Sequence, residues 1–391
     1  MASMTLRLRF EGESLYVQGE IVLPQPMRAL RFALNRGLKV TGVTCDGESA
    51  LCQMAGERGL MFRAAAQDYL IAREHPFRRV ALDYAGQVGA WWHCAVAEKL
   101  IALNWYAVWF PQELPFAVAK DLVLVEGCEN YLLLKGTWDA HSGTWRYGGE
   151  GYDPFNLILY RRDSVQIVCG EHLRVYFLDE RQRASAEKSV EVFEDILDFY
   201  ARELFRTEWS GVVEMACDAP VVRNGGAYKR QGLIVTNRPG DDDGELICIN
   251  AHELGHEWCS GADVNSWEDW LNETGAEWAM LLYALSRGKQ ALYEQQMAWH
   301  REMAKKAPPM RPEDGSRPGE GVHNVGTVLM AEVYEAFGAE TVAETLRCMV
   351  ALKEKTTVNL LCAMREAEMA DAASMLASGL EKAGAGPLPV D

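Results

Sequence analysis

The stretch INAHELGHEWCSG, Ile249–Gly261, holds the densest chemistry in the chain. His252 and His256 stand four residues apart, and Glu253 directly follows the first histidine. On a helix, positions i and i+4 share one face a turn apart, so both imidazoles can reach a single metal ion. Glu253 then projects beside them, where a carboxylate can take a proton from water. A catalytic zinc also needs a third protein ligand and an open position. The segment WLNETGAEW offers Glu273, with sixteen residues between it and His256, enough for a loop and the start of an antiparallel helix. Asp263 and Glu268 are nearer but fall where that loop would run. Glu277, one turn past Glu273 on the same face, either orients a ligand histidine or lies at the surface.

These residues need helices to position them, and the sequence supplies helices only in its second part. As far as about residue 165 the pattern is of strands and turns: SLYVQGEIVLP, MRALRFALNRGLKVTGVTCDGE, DLVLVE, NYLLLKG, FNLILYRR and VQIVCG mix alternating apolar residues with Gly, Asp and Asn. Weak helical possibilities occur only near Met61–Ala72 and Ala95–Leu103. From Arg183 the period changes. Val190, Phe193, Ile196, Leu197 and Tyr200 recur as on one face of an amphipathic helix. Strand-like GVVEMAC and GLIVTN follow, then the acidic RPGDDDGE, which reads as a solvated turn. Helical segments fill the rest, separated by the Pro-rich loop APPMRPEDGSRPGEG, with two or more helices after His323.

The chain has 391 residues, 49% of them apolar, which places it among globular multidomain proteins. A net charge of −17 argues against a nucleic-acid partner, since a phosphate backbone calls for a basic surface. No run is long and apolar enough to span a bilayer, and MASMTLRLRF lacks the apolar core of a signal peptide. Ten scattered cysteines without a CxxC pair read as reduced thiols of a cytoplasmic protein. The twelve tryptophans read as core. His93, His141 and His172 lack ligand spacing and read as structural or surface residues. His75 precedes Pro76 in an expected turn, Lys305 and Lys306 form a solvated helix end, and His300, on a helix of mixed charge, carries no expected role.

HELGHEW followed by WLNETGAEW resembles the HExxH and WLNEGFA signatures of the aminopeptidase N family, the gluzincins that include leukotriene hydrolase. The resemblance extends along the chain. LNWYAVWFP, Leu103–Pro111, is similar to an aromatic-Pro segment of the family's N-terminal domain. RNGGAYKRQGLIVTN occupies the place of its glycine-rich substrate strand. HNVGTVLMAEVYEAFG resembles its YEKG helix. The resemblance implies an α+β multidomain fold, with a β-rich N-terminal domain over 1–165 and a thermolysin-like, mainly helical metallopeptidase domain over 166–391. It implies one zinc ion on His252, His256 and Glu273, Glu253 as general base, and a peptide or small-protein substrate.

This chain departs from the family in four places. The segment between His256 and Glu273 is shorter than usual. The chain ends about seventy residues past His323, so the family's large C-terminal helical domain is expected to be absent and the cleft more open. His323 stands where the family has its catalytic tyrosine, which makes it the expected oxyanion donor, with Tyr334 the alternative if the match slips. In the substrate strand, Gly225, Gly226, Ala227 and Tyr228 match by position. Tyr228, however, replaces the glutamate that grips a substrate's free amine, and Lys229 follows. A weakened amine anchor is expected, unless Glu98 or Glu171 supplies it. Two other readings stay open: a non-catalytic peptide-binding protein on this fold, and a zinc hydrolase of a non-peptide substrate.

Overall fold

The computed structural model describes residues 2–59, 63–89, 91–148, 155–218, 226–230, 232–240, 242–319 and 321–384. The α+β expectation holds: a β-rich N-terminal part is followed by a helical part, with eight α-helices among the described residues. The chain forms two compact units. One comprises Met1–Val168, Arg174–Arg183 and Val213–Arg238, the other Cys169–Leu173, Ala184–Val212 and Pro239–Asp391.

The first unit is built on a nine-stranded sheet. In its strand Ala2–Glu11, Met4, Leu6 and Leu8 point inward while their neighbours meet solvent, the two-residue alternation of a one-sided strand. Two long strands, Ser14–Asn35 and Ala66–Gly86, pair antiparallel along most of their length. Their register shifts between Val22 and Ala29. Pro24 and Pro26 lie on one side of that shift and Pro76 on the other. Proline has no N–H to donate, so a long ladder can carry it only at such a break. His75 and Pro76 therefore sit inside a strand, where a turn was expected. The weak helical possibilities also resolve as strands: Ala66–Gly86 covers the described end of the first, and Ala95–Val96 and Leu100–Leu103 the second.

A five-stranded sheet runs in the order Gln166–Cys169, Leu173–Phe177, Val213–Cys217, Leu233–Thr236, Ala227–Arg230. The last of these is an edge strand among the described residues, antiparallel to its neighbour with Tyr228 opposite Val235.

The second unit contains the helices α1 (Arg183–Asp198), α2 (Asp243–Gly255), α3 (Trp270–Ser286), α4 (Gln290–Ala304), α5 (Gly321–Phe337), α6 (Ala339–Ala351), α7 (Thr357–Glu366) and α8 (Ala370–Lys382). Helix α3 is central, packed by α2, α4, α5 and α6. Trp270, Ala276, Trp278, Ala279 and Leu281 are buried all round it, as an enclosed helix requires. The acidic segment is more than a solvated turn: Asp242 caps α2, its side chain accepting from the Glu245 N–H.

Candidate metal centre

Helix α2 carries His252 and Glu253 in its last turn and ends at Gly255, with His256 at the C-cap still in helical conformation. The i, i+4 relation of the two histidines therefore survives the helix end. Two buried contacts fix α2 from behind. Asn250 donates to Leu246 O and meets Ser189 of α1, and the Tyr200 hydroxyl donates to Ala251 O at 2.8 Å. Glycines then let the helices close on one another. A Cβ on Gly255 would lie 3.0 Å from Ala276 Cα, so α2 and α3 meet backbone to backbone. A Cβ on Gly326 would fall 2.1 Å from Thr274 Oγ1, so α5 sits equally close to α3. Thr274 Oγ1 donates to Val322 O at 2.9 Å, which seats the first turn of α5, and with it His323, on the turn of α3 that holds Glu273.

This packing brings together residues from three separate segments. Glu273 Oε2 lies 3.7 Å from His252 Nε2, 3.5 Å from His256 Nε2 and 3.5 Å from His323 Nδ1. Ligand atoms of His252, Glu273 and His323 all lie within 4.8 Å of one another. Zinc bonds of about 2.0–2.2 Å in a tetrahedron separate neighbouring ligand atoms by about 3.4 Å, close to the distances measured from Glu273 Oε2, but His256 falls outside the mutually close set, which holds His323 instead. The tautomers fit zinc. His252 Nδ1 donates to Glu277 Oε2 at 2.9 Å and His256 Nδ1 to Cys259 O at 3.2 Å, which leaves both Nε2 atoms on the side of Glu273. The four side chains are 17–24% exposed, so the cluster is reachable from solvent.

Electrostatics hold the cluster together without metal. Burial works to lower the His252 pKa, but its hydrogen bonds to the Glu273 and Glu277 carboxylates outweigh it and hold the imidazole well above its ordinary value. Burial alone would raise Glu273. The imidazoles of His323, His256 and His252 reverse that and keep it ionised, well below the usual carboxylate range. Glu277 is likewise lowered, its burial overcome by hydrogen bonds from His252 and His300. Glu253 is 6% exposed.

Other expected site residues fall elsewhere. Tyr334 packs against Trp278 and Tyr293, with ring centroids 5.5 and 5.6 Å away. Gly225 lies outside the described residues. Gly226 has φ +93°, which glycine alone adopts readily, and a Cβ there would meet Trp92. Tyr228 is 4% exposed among Trp92, His93 and Tyr106, and its hydroxyl has no hydrogen-bond partner among the described residues. The Arg230 guanidinium lies 5.8 Å from the Tyr228 ring centroid. Glu98 pairs with Arg161, and Glu171 is exposed.

Two histidines given no role from sequence prove to be buried and bonded. His93 Nδ1 lies 2.7 Å from Asp218 Oδ2. His300, 2% exposed, donates from Nε2 to Glu277 Oε1 at 2.7 Å. Glu277 is thereby a buried bridge between His252 and His300 and does not lie at the surface. Tyr293, Met297 and His300 form the buried stripe of α4. That i, i+4, i+7 spacing is the signal that could have placed His300 inside.

No protein-family model matches the chain, and no curated protein matches it. Solved structures do. An M1 zinc metallopeptidase from Deinococcus radiodurans covers 99% of this chain and 95% of its own, at TM-score 0.61 and 18% identity. A variant of that enzyme bound to a Tyr-Ser-Ala substrate matches at TM-score 0.64 and 16% identity over 99% of this chain and 95% of the other. Native leukotriene A4 hydrolase from Saccharomyces cerevisiae matches at TM-score 0.64 and 16% identity, over 99% of this chain and 68% of the hydrolase. The chain thus has the two-domain fold of the M1 zinc metallopeptidases, shared with leukotriene A4 hydrolase.

Proposed function

We propose that this chain is a zinc-dependent peptidase. The observation that carries the proposal is the convergence of three imidazole nitrogens on Glu273 Oε2 at 3.5–3.7 Å. His252, His256 and Glu273 would hold one zinc ion. When bound, zinc lowers the pKa of a water toward neutrality and polarises a carbonyl. Glu253, beside His252 on α2, accepts the proton of the attacking water and returns it to the leaving amine. His323 donates an N–H to the oxyanion that develops on the scissile carbonyl. Peptide is the favoured substrate because a neighbour of this fold was solved with Tyr-Ser-Ala. The ten free thiols suit a cytoplasmic setting. On this reading the catalytic domain runs over 166–391.

Substrate binding is assigned to Gly225, Gly226, Ala227 and Tyr228. The position of Ala227–Arg230 at a sheet edge supports this, because an edge strand can pair with an extended peptide backbone. With a tyrosine for the amine-gripping glutamate and Arg230 against its ring, the strand favours blocked or internal bonds over free N-termini.

A second reading of His323 rests on its own distance. At 3.5 Å from Glu273 Oε2 it is as near as His256, close enough to be a fourth ligand. Four protein ligands make a closed, structural site without turnover.

A peptide library digested with and without a zinc chelator, and read by mass spectrometry, tests the proposal. It predicts cleavage that the chelator stops and added zinc restores. Intact peptides under both conditions, from protein shown to carry zinc, would favour the closed site.

A further inference from the structure

We infer that His300 is a positioning residue of the metal centre, fixing the ring of His252 through Glu277; this rests on the zinc reading above. The two oxygens of Glu277 are divided between two imidazoles. Oε2 accepts from His252 Nδ1 at 2.9 Å and Oε1 from His300 Nε2 at 2.7 Å. The other ring nitrogen of His300, Nδ1, lies 3.0 Å from the Asn324 side-chain amide oxygen, and Asn324 follows His323 in α5. One chain of hydrogen bonds therefore crosses four helices, from His252 on α2 through Glu277 on α3 and His300 on α4 to Asn324 on α5.

Position and chemistry both argue that this chain does more than satisfy a core. His300 takes a place on the buried stripe of α4, beside Tyr293 and Met297, that an apolar residue would fill without any need for partners. A terminal carboxylate torsion is broad and two-fold, so a carboxylate held at one oxygen can swing. Held at both, it presents Oε2 to His252 in one orientation, and that in turn aims His252 Nε2 toward Glu273. Glu277 is the direct partner of a ligand. His300 stands one step farther out and acts only by fixing Glu277. Partners of metal-ligating histidines are typically worth about 10–100-fold in metal affinity or activity.

The test measures the zinc dissociation constant by competition with a chromophoric chelator, together with the visible spectrum of the cobalt-substituted protein. The variants are His300→Leu, which removes the donor, and His300→Gln, whose amide can still reach Glu277. Melting of the metal-free proteins is followed in parallel. The expected result is zinc binding weakened about tenfold or more in His300→Leu with an altered cobalt spectrum, and His300→Gln within about threefold of wild type. Should His300→Leu fail to fold, His300→Asn, whose shorter amide falls short of Glu277, takes its place and should weaken binding in the same way. Wild-type affinity and spectrum in the donor-less variant, or equal losses in both variants, would overturn the inference. Wild-type protein that takes up no zinc would instead remove the metal reading itself.

Discussion

The helical unit joins His252 to buried Glu277, His300 and Asn324 in one chain of hydrogen bonds, whereas the strand-rich unit buries His93 and Tyr228 with a polar atom each left over. In the first cluster each carboxylate oxygen of Glu277 has its own donor. In the second, His93 Nδ1 meets Asp218, but His93 Nε2 and the Tyr228 hydroxyl have no partner among the described residues. A buried polar atom without a protein partner costs about 1–3 kcal/mol. The contrast separates two demands. Ligands of a metal must be held in one rotamer, and saturation of their second nitrogens does that. The other demand is close packing: His93 and Tyr228, 0% and 4% exposed, fill the interior while each keeps a polar atom without a partner among the described residues.

The largest effect should come from breaking the saturated side at its centre. Glu273→Ala should abolish stoichiometric zinc, as read by metal analysis after reconstitution, while His93→Gln in the other cluster leaves zinc at wild-type level. Next in size is His323. As oxyanion donor, its replacement by Phe should lower turnover on the order of 100-fold with zinc retained, and Tyr334→Phe, which keeps the ring contacts with Trp278 and Tyr293 and removes only a hydroxyl, should not. Loss of zinc in His323→Phe would identify a fourth ligand instead.

Protons sharpen the comparison further. The metal-free protein holds His252 protonated well above the ordinary imidazole range, so zinc must displace that proton. Because the pKa is raised, competition is strongest at low pH and fades as pH rises through the folded value. Zinc affinity should therefore weaken by about tenfold for each unit of acidification over the range below the raised His252 value. Titration calorimetry in buffers of different ionisation enthalpy should register the released proton. An affinity flat over that range would contradict the hydrogen-bonded, protonated His252.

The strand side predicts the smallest effect. An intact charge-assisted anchor for a substrate amine is worth about 1.5–3 kcal/mol. With Tyr228 in its place and Arg230 beside it, acetylating a peptide's N-terminus should change kcat/KM less than about tenfold. Cleavage abolished by acetylation, with single residues released from free ends only, would restore an anchor.

The helices under HELGHEW and WLNE were legible because helical periodicity turns a spacing of four residues into a shared face. The β-rich first part was legible from two-residue alternation. What escaped depended on contacts between distant residues. His300 lies 23 residues from Glu277, and His93 lies 125 from Asp218. Neither separation corresponds to a local period. His300 is followed by Arg301 and Glu302, which hid its place on a buried stripe. The strand around Pro76 misled for a different reason. Proline reads as a turn, and only the pairing of two long strands reveals the register break that admits it.

A hydrolytic zinc site in which Glu253 moves the proton is tested most directly at that residue. Wild-type protein and Glu253→Gln should first be shown by metal analysis to carry the same single zinc ion, then compared on one peptide mixture. Glu253 is not a ligand in this account, so zinc should be unchanged, and loss of the base should reduce cleavage by about 100-fold to 10,000-fold. Cleavage at the wild-type rate by the zinc-loaded Glu253→Gln variant would contradict the account.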